Sequence, residues 1–135
     1  MIAYLLDTNA FSKAVCRQSP AFSGRFESIP LAEVGISVIT EAELLFGLAR
    51  RPQAHTLAQS VHALLHKITI LPWKSESASQ YANLRADLER RGQPMDDMDM
   101  MIAAQALAED AILVTNDAAF RRIDRLRIED WTRSL

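Results

Sequence analysis

The chain has 135 residues, 49% of them apolar and 24% charged, with a formal net charge of −2. These totals suit one domain, residues 1–135, with an ordinary core, and they exclude nucleic-acid binding driven by bulk positive charge. No apolar run matches a membrane span, no basic region precedes an apolar stretch as in a signal peptide, and the lone Cys16 excludes an internal disulfide or a cysteine zinc site. The expectation is a cytoplasmic protein with no membrane contact.

Ile2 to Leu6 reads as a short buried strand, stopped by Asp7-Thr8-Asn9, with a helix to about Lys13. A weaker helix covers Pro20 to Ser28. Gly35 to Ile39 reads as the second strand, its β-branched Val38 and Ile39 favouring extended backbone. Thr40 and Glu43 then have capping-box spacing, which places Glu43 in the first turn of a helix to about Arg50. Leu44, Leu45, Phe46 and Leu48 make that helix apolar nearly all round, so it is expected to pack on two sides. A further helix runs from Pro52 to about His66. Ile68 to Leu71 is the third strand. Ser75 to Arg91 is a long helix with Ala78, Tyr81, Leu84 and Leu88 inward, ended by Gly92 and Pro94. Met98 to Glu109 is a small-residue helix, Ala111 to Thr115 the fourth strand, Ala118 to Arg122 a short helix, and Arg127 to Glu129 a closing edge strand. Strands alternating with helices, without hairpin signals, give an α/β domain with a mainly parallel sheet of four to five strands flanked by helices.

In such a sheet the strand C-termini and the helix N-termini share one end, where ligands bind. Asp7 follows the first strand, Glu43 opens the helix after the second, Asp99 opens the helix before the fourth, and Asp117 follows the fourth. Each alone is explained as a cap, a dipole partner or a turn residue. Together they bring four acids to one mouth, and only Lys13 is near any of them in sequence. Two unit charges 4 Å apart repel by roughly 4 kcal/mol at an effective dielectric near 20, so the four need raised pKa values or a cation. Hard oxygen donors select Mg²⁺ or Mn²⁺, ions that activate water and stabilise in-line phosphoryl displacement.

These segments resemble the PIN-domain ribonucleases, specifically the VapC-type toxins of VapBC toxin–antitoxin pairs. The matching residues are Leu6-Asp7-Thr8-Asn9, Ile36 to Thr40 with Glu43 to Gly47, Asp99 with Ile102-Ala103-Ala104, Val114 to Asp117 with Phe120, and the ending Leu126 to Trp131. The resemblance covers essentially the whole chain and implies a PIN-like three-layer fold. It implies that Asp7, Glu43 and Asp99 ligate the metal, that Asp117 helps bind a second ion, and that Thr8, Asn9 and Thr115 orient the carboxylates. It also implies endonucleolytic cleavage of RNA, often in tRNA or rRNA loops, by metal-activated water. A homodimer, a VapB-type antitoxin that blocks the acidic pocket, and operator DNA bound only through that antitoxin are implied with it. The alternatives are a catalytically silent PIN-like binding module and another Mg-dependent phosphotransfer domain. A receiver domain would need a lysine after the last strand, which is missing, and an aspartyl phosphatase would want Asp where Asn9 stands.

Twelve arginines against three lysines add a pattern of their own. Arg50-Arg51, Arg85 with Arg90-Arg91, and Arg121-Arg122 with Arg125 and Arg127 are either solvated faces or phosphate forks. Arg121 and Arg122, beside the expected mouth, are the candidate RNA contacts. Asp96 is expected to cap the helix that holds Asp99, with reach to a second ion or repulsion of RNA as the alternative. His62 and His66, four apart, read as a polar face rather than a metal pair. Among Met95, Met98, Met100 and Met101, Met101 is expected in the core. Surplus apolar surface on the helix from Leu44 to Leu48 is a candidate dimer or antitoxin interface.

Overall fold

The computed structural model describes residues 1–133. Five short strands, β1 (Tyr4–Leu6), β2 (Val34–Ser37), β3 (Thr69–Leu71), β4 (Ile112–Val114) and β5 (Ile128–Glu129), form one sheet in the order β3-β2-β1-β4-β5. Every pairing is parallel. β1 is central, with Leu6 opposite Ile36 on one side and Val114 on the other. The chain builds β2 and β3 on one flank of β1 and then returns to build β4 and β5 on the other. The strand order therefore switches at β1, and the crevice beyond the C-terminal ends of β1 and β4 is where such a sheet binds ligands.

Six helices cover the two faces: α1 (Thr8–Cys16), α2 (Pro20–Glu27), α3 (Val38–Ala49), α4 (His55–Leu65), α5 (Ser75–Arg90) and α6 (Asp97–Ala108). Side chains alternate across each strand, so Leu5 and Leu113 pack with α5 and α6, while Leu6 and Val114 pack with Phe11, Phe22, Leu44 and Val61. The result is three layers with a core on each side of the sheet. In α6 the fully buried Ala103, Ala104 and Ala106 allow a close approach to the sheet and α5. Gly92, at φ +66°, ends α5 in the left-handed conformation that a side chain disfavours.

Several boundaries correct the sequence expectation. β2 stops at Ser37, and Val38 and Ile39 are helical. The Ser37 hydroxyl accepts the Ile39 amide at 3.0 Å and starts α3 three residues before Thr40. An N-cap satisfies an otherwise orphaned helical N–H, and this outweighs the modest extended preference of two β-branched residues. Thr40 is therefore inside α3, fully buried, and Glu43 sits in the second turn rather than the first. On α5 the buried residue is Ser77, while Ala78 is exposed. On α6 Met100 is buried and Met101 half-buried. α3 packs on two sides, with Ile39 against one cluster and Leu44 and Leu48 in the other, but Leu45 and Phe46 are left 40% and 61% exposed.

α6 is also tied to the far edge of the sheet. The fully buried Gln105 donates from Nε2 to the carbonyls of Leu71 (3.1 Å) and Pro72 (3.0 Å), where β3 ends. Trp73 Nε1 donates to the Met101 carbonyl at 3.0 Å. Gln105→Leu keeps the bulk and removes both donors. It is expected to destabilise the fold by about 1–2 kcal/mol, because two carbonyls lose partners that water replaces incompletely. Urea unfolding of the two proteins measures this directly, and equal midpoints would show that removing the buried Gln105 Oε1, which has no partner among the described residues, offsets the lost bonds.

Candidate active site

The acids predicted from the sequence do lie around the C-terminal ends of β1 and β4, and local hydrogen bonds place most of them. Asp7 follows β1 and is buried. Its Oδ1 accepts the Ala10 amide at 2.8 Å and so caps α1. Asp117 follows β4. Its Oδ1 accepts the Ala119 amide at 2.9 Å, which starts a 3-10 turn over Ala118–Arg122, and its own amide donates to Thr115 Oγ1 at 3.0 Å. Asp96 Oδ2 accepts the amides of Met98 (3.1 Å) and Asp99 (3.3 Å), which makes it the cap of α6. Asp97 turns away to Arg85 on α5, 3.5 Å from its Nη1. Asp99, in the first turn of α6, is left half-buried and facing the other acids. Glu43 reaches the group from α3 and accepts the Thr8 hydroxyl at 2.5 Å.

The electrostatics show how close the group is. Burial raises the Asp99 carboxyl most, and the charges of Asp96, Glu43, Asp117 and Asp7 raise it further, to about 6. Burial likewise pushes Asp7 upward. Its hydrogen bonds with Thr115 and the Ala10 amide work the other way, Asp117 adds to the rise, and Lys13 opposes it. Among the described residues none of Asp7, Glu43, Asp99 and Asp117 is ion-paired. Each charge therefore sits in a field set by its neighbours.

Two of the three expected orienting residues are brought to the acids, Thr8 onto Glu43 and Thr115 beside Asp7 and Asp117. Asn9 is exposed and joins Thr8, Glu43, Leu44 and Arg51 along a groove of about 440 Å³ between α1, α3 and α4. Arg121 and Arg122 are exposed on the turn after Asp117, but the Arg122 guanidinium donates to the Pro94 carbonyl at 2.7 Å. His62 and His66 are exposed, and His66 Nδ1 bonds the His62 carbonyl at 2.8 Å, as expected of a polar face. Sequence reasoning missed Ser37 as the cap that sets where Glu43 points. It read Thr40 as a helix cap, whereas Thr40 lies inside α3 with its buried hydroxyl unpartnered among the described residues. A serine directly before a helical apolar run was the available signal for the first.

A hard divalent cation fits this donor set by chemistry: carboxylate oxygens on four separate elements, mutually repelling, with the Asp99 carboxyl raised to about 6 by burial first and by the neighbouring charges after it. As the side chains stand, no three acidic, histidine or cysteine groups among the described residues are gathered as ligands around one point. The caps and the Thr8 bond hold the oxygens in local roles, and like charges keep apart.

The chain matches the family model of the PIN domain over residues 4–126. It is 31% identical to ribonuclease VapC2 of Haemophilus influenzae over 132 residues, 97% of this chain and 99% of that protein. It is 29% identical to the tRNA(fMet)-specific endonuclease VapC of Shigella flexneri, over 98% of this chain and all of that one. Among solved structures, DNA-bound VapBC from Salmonella typhimurium superimposes with a TM-score of 0.89 at 30% identity, covering 97% of this chain and 99% of that chain.

Proposed function

The chain belongs to the PIN-domain family, and from that premise we propose that it is the endoribonuclease toxin of a VapBC-type pair, using Mg²⁺ or Mn²⁺ to hydrolyse RNA. One observation carries the proposal: carboxylates from the end of β1, α3, the start of α6 and the turn after β4 lie close enough that, on top of the larger effect of burial, the charges of Asp96, Glu43, Asp117 and Asp7 add to the rise of Asp99 to about 6. The relatives named as VapC ribonucleases support the substrate class, and the relative named as tRNA(fMet)-specific supports a tRNA as the target. We place the protein in the cytoplasm, where its RNA is; no helix among the described residues is long and apolar enough to cross a membrane.

In this reading Asp7, Glu43 and Asp99 hold the cation and Asp117 completes the set toward a second one. A divalent cation bound there supplies Lewis acidity and lowers the pKa of water. Asp7 and Asp117 are each anchored through Oδ1 by the cap they form, and their carboxylates would be drawn together from these local roles on cation binding. Thr8 holds Glu43 from behind, and Thr115 does the same for Asp7. Arg121, on the turn beside Asp117, has no hydrogen-bond or ion-pair partner among the described residues and is our choice for a phosphate contact. A catalytically silent binding module has no use for four charges that repel one another, which favours the enzyme over that alternative. The test is incubation of purified protein with total RNA and Mg²⁺ or Mn²⁺, followed by mapping of the new ends. Discrete cleavage sites, lost in Asp7→Asn, are expected, and unchanged cleavage by that variant would remove this site from the mechanism.

The partner proposed is a VapB-type antitoxin, with the toxin as a homodimer and operator DNA contacted through the antitoxin; that the Salmonella structure is a DNA-bound VapBC complex supports the antitoxin partner and the link to DNA. The exposed face of α3 is the surface assigned to protein partners. Leu45 and Phe46 stand out from it, and the Arg50 guanidinium lies 4.8 Å from the centre of the Phe46 ring. Exposed aromatics flanked by arginine are the residue types that dominate interface energies. Phe46→Asp is expected to weaken antitoxin binding or self-association by about 30-fold or more. Titration calorimetry with the antitoxin and light scattering of the toxin alone measure the two. Wild-type values in both would show that this face carries no partner.

A further inference from the structure

The two segments that carry Asp99 and Asp117 are joined by a pair of arginines. Arg122 lies on the 3-10 turn that Asp117 caps, and its Nη1 donates to the Pro94 carbonyl at 2.7 Å. The Arg122 carbonyl in turn accepts Nη2 of Arg91 at 2.5 Å. Arg91 is itself held by Asp87, 2.9 Å away, and donates to Gln93 at 2.9 Å. Among the described residues these two guanidinium bonds are the hydrogen bonds between the connection ahead of α6 and the turn after β4. The connection is almost wholly exposed, and Pro94 brings no amide of its own. It ends in Asp96, whose carboxylate caps α6 and so sets the turn on which Asp99 sits.

We infer that Arg122 and Arg91 form a clasp that fixes the Asp117 turn against the start of α6, and that both are positioning residues for the acidic site rather than phosphate contacts. The inference rests on the metal-dependent nuclease reading for its consequence, not for its geometry. A guanidinium donates in fixed directions and so locks the carbonyl it meets in place. Cation sites are sensitive to such support, and loss of an outer partner typically lowers metal affinity about 10–100-fold. RNA contact would use the same guanidinium differently, through charge, and would show in binding and its salt dependence.

The experiment compares Arg122→Met, which keeps length without donors, with Arg122→Lys, which restores one donor. For Arg122→Met, Mn²⁺ affinity by titration calorimetry is expected to fall about 10-fold. The kcat for RNA cleavage should fall in proportion while KM and its salt dependence stay unchanged, and Arg122→Lys should recover most of both losses. Amide hydrogen exchange at Met98 and Asp99 should quicken in Arg122→Met, with β4 unaffected. Unaltered exchange and Mn²⁺ affinity, with a raised KM and a shallower salt dependence, would overturn the clasp and make Arg122 a phosphate contact. A wild-type protein that binds no Mn²⁺ and cuts no RNA would sink the nuclease reading instead, and the exchange measurement would still decide the clasp.

Discussion

Asp99→Asn is expected to lower RNA cleavage by about 10³-fold and, at the same time, to make the metal-free protein more stable above pH 6. The first effect follows from taking a charge out of a preorganised electrostatic site, where a single interaction is worth on the order of 10²–10³ in rate. The second follows from linkage. The folded Asp99 carboxyl titrates at about 6, above its ordinary 3.8. Between those values the folded chain holds a proton that the unfolded chain has released, so stability falls as pH rises through that window and the penalty is complete above pH 6. Asp7, also raised, works in the same direction. Asp99 is only half-buried, so after allowance for solvent screening the gain from neutralising it is up to about 2 kcal/mol. Thermal unfolding of both proteins at pH 3.5 and pH 8 in EDTA measures it. The stabilities should be close at pH 3.5, below the ordinary value of 3.8, and separate through to pH 8. A variant that is less stable than wild type at pH 8 would mean that dipole stabilisation of the Asp99 carboxylate at the α6 N-terminus outweighs the repulsion.

Chelation has the other large effect. EDTA is expected to reduce cleavage to background, and Mn²⁺ or Mg²⁺ to restore it and raise the melting temperature. A ligand at about 100 times its dissociation constant adds roughly 2.7 kcal/mol to the folded state, which for a domain of this size is about 10 °C. The increment should grow from pH 5 to pH 8, because the cation must displace the proton that Asp99 retains below about 6. Asp7→Asn separates chemistry from structure. Asparagine caps a helix nearly as well as aspartate, so the Ala10 bond survives and the metal-free fold stays intact while the metal-induced rise is lost. Cleavage that persists in EDTA, or a rise that survives in both Asp7→Asn and Asp99→Asn, would place the chemistry outside this crevice.

Much of the architecture was legible because its causes are local. Tyr4–Leu6 and Ile112–Val114 are short apolar runs stopped by residues that cap the next element, and Gly92 and Pro94 announce the end of α5. The parallel sheet follows from alternation of strands with helices. Asp7, Asp99 and Asp117 fell at one end of it because each sits at a strand-to-helix or loop-to-helix junction, and in a parallel sheet those junctions coincide. The cap role of Asp96 is equally local, since its carboxylate needs only amides two and three residues ahead.

Other features depended on contacts between distant segments. The start of α3 was misplaced because β-branched Val38 and Ile39 favour strands weakly, and the Ser37 cap and packing overrode them. Glu43 was read at the mouth from its place in the helix after the second strand, but the cap reasoning put it one turn too early. The exposure of Phe46 and the inward turn of Ser77 in place of Ala78 depend on where neighbouring helices stop, which periodicity does not record. Arg122 read as free charge because nothing in the sequence announces that Pro94 offers it a carbonyl. The sequence therefore specified which acids the chain has and at which end of the sheet they stand. Only the tertiary structure, by bringing Glu43, Asp117 and Asp7 toward Asp99 across four elements, determined that their charges act on one another. Coulomb interaction depends on distance through space, and separation along the chain does not encode it.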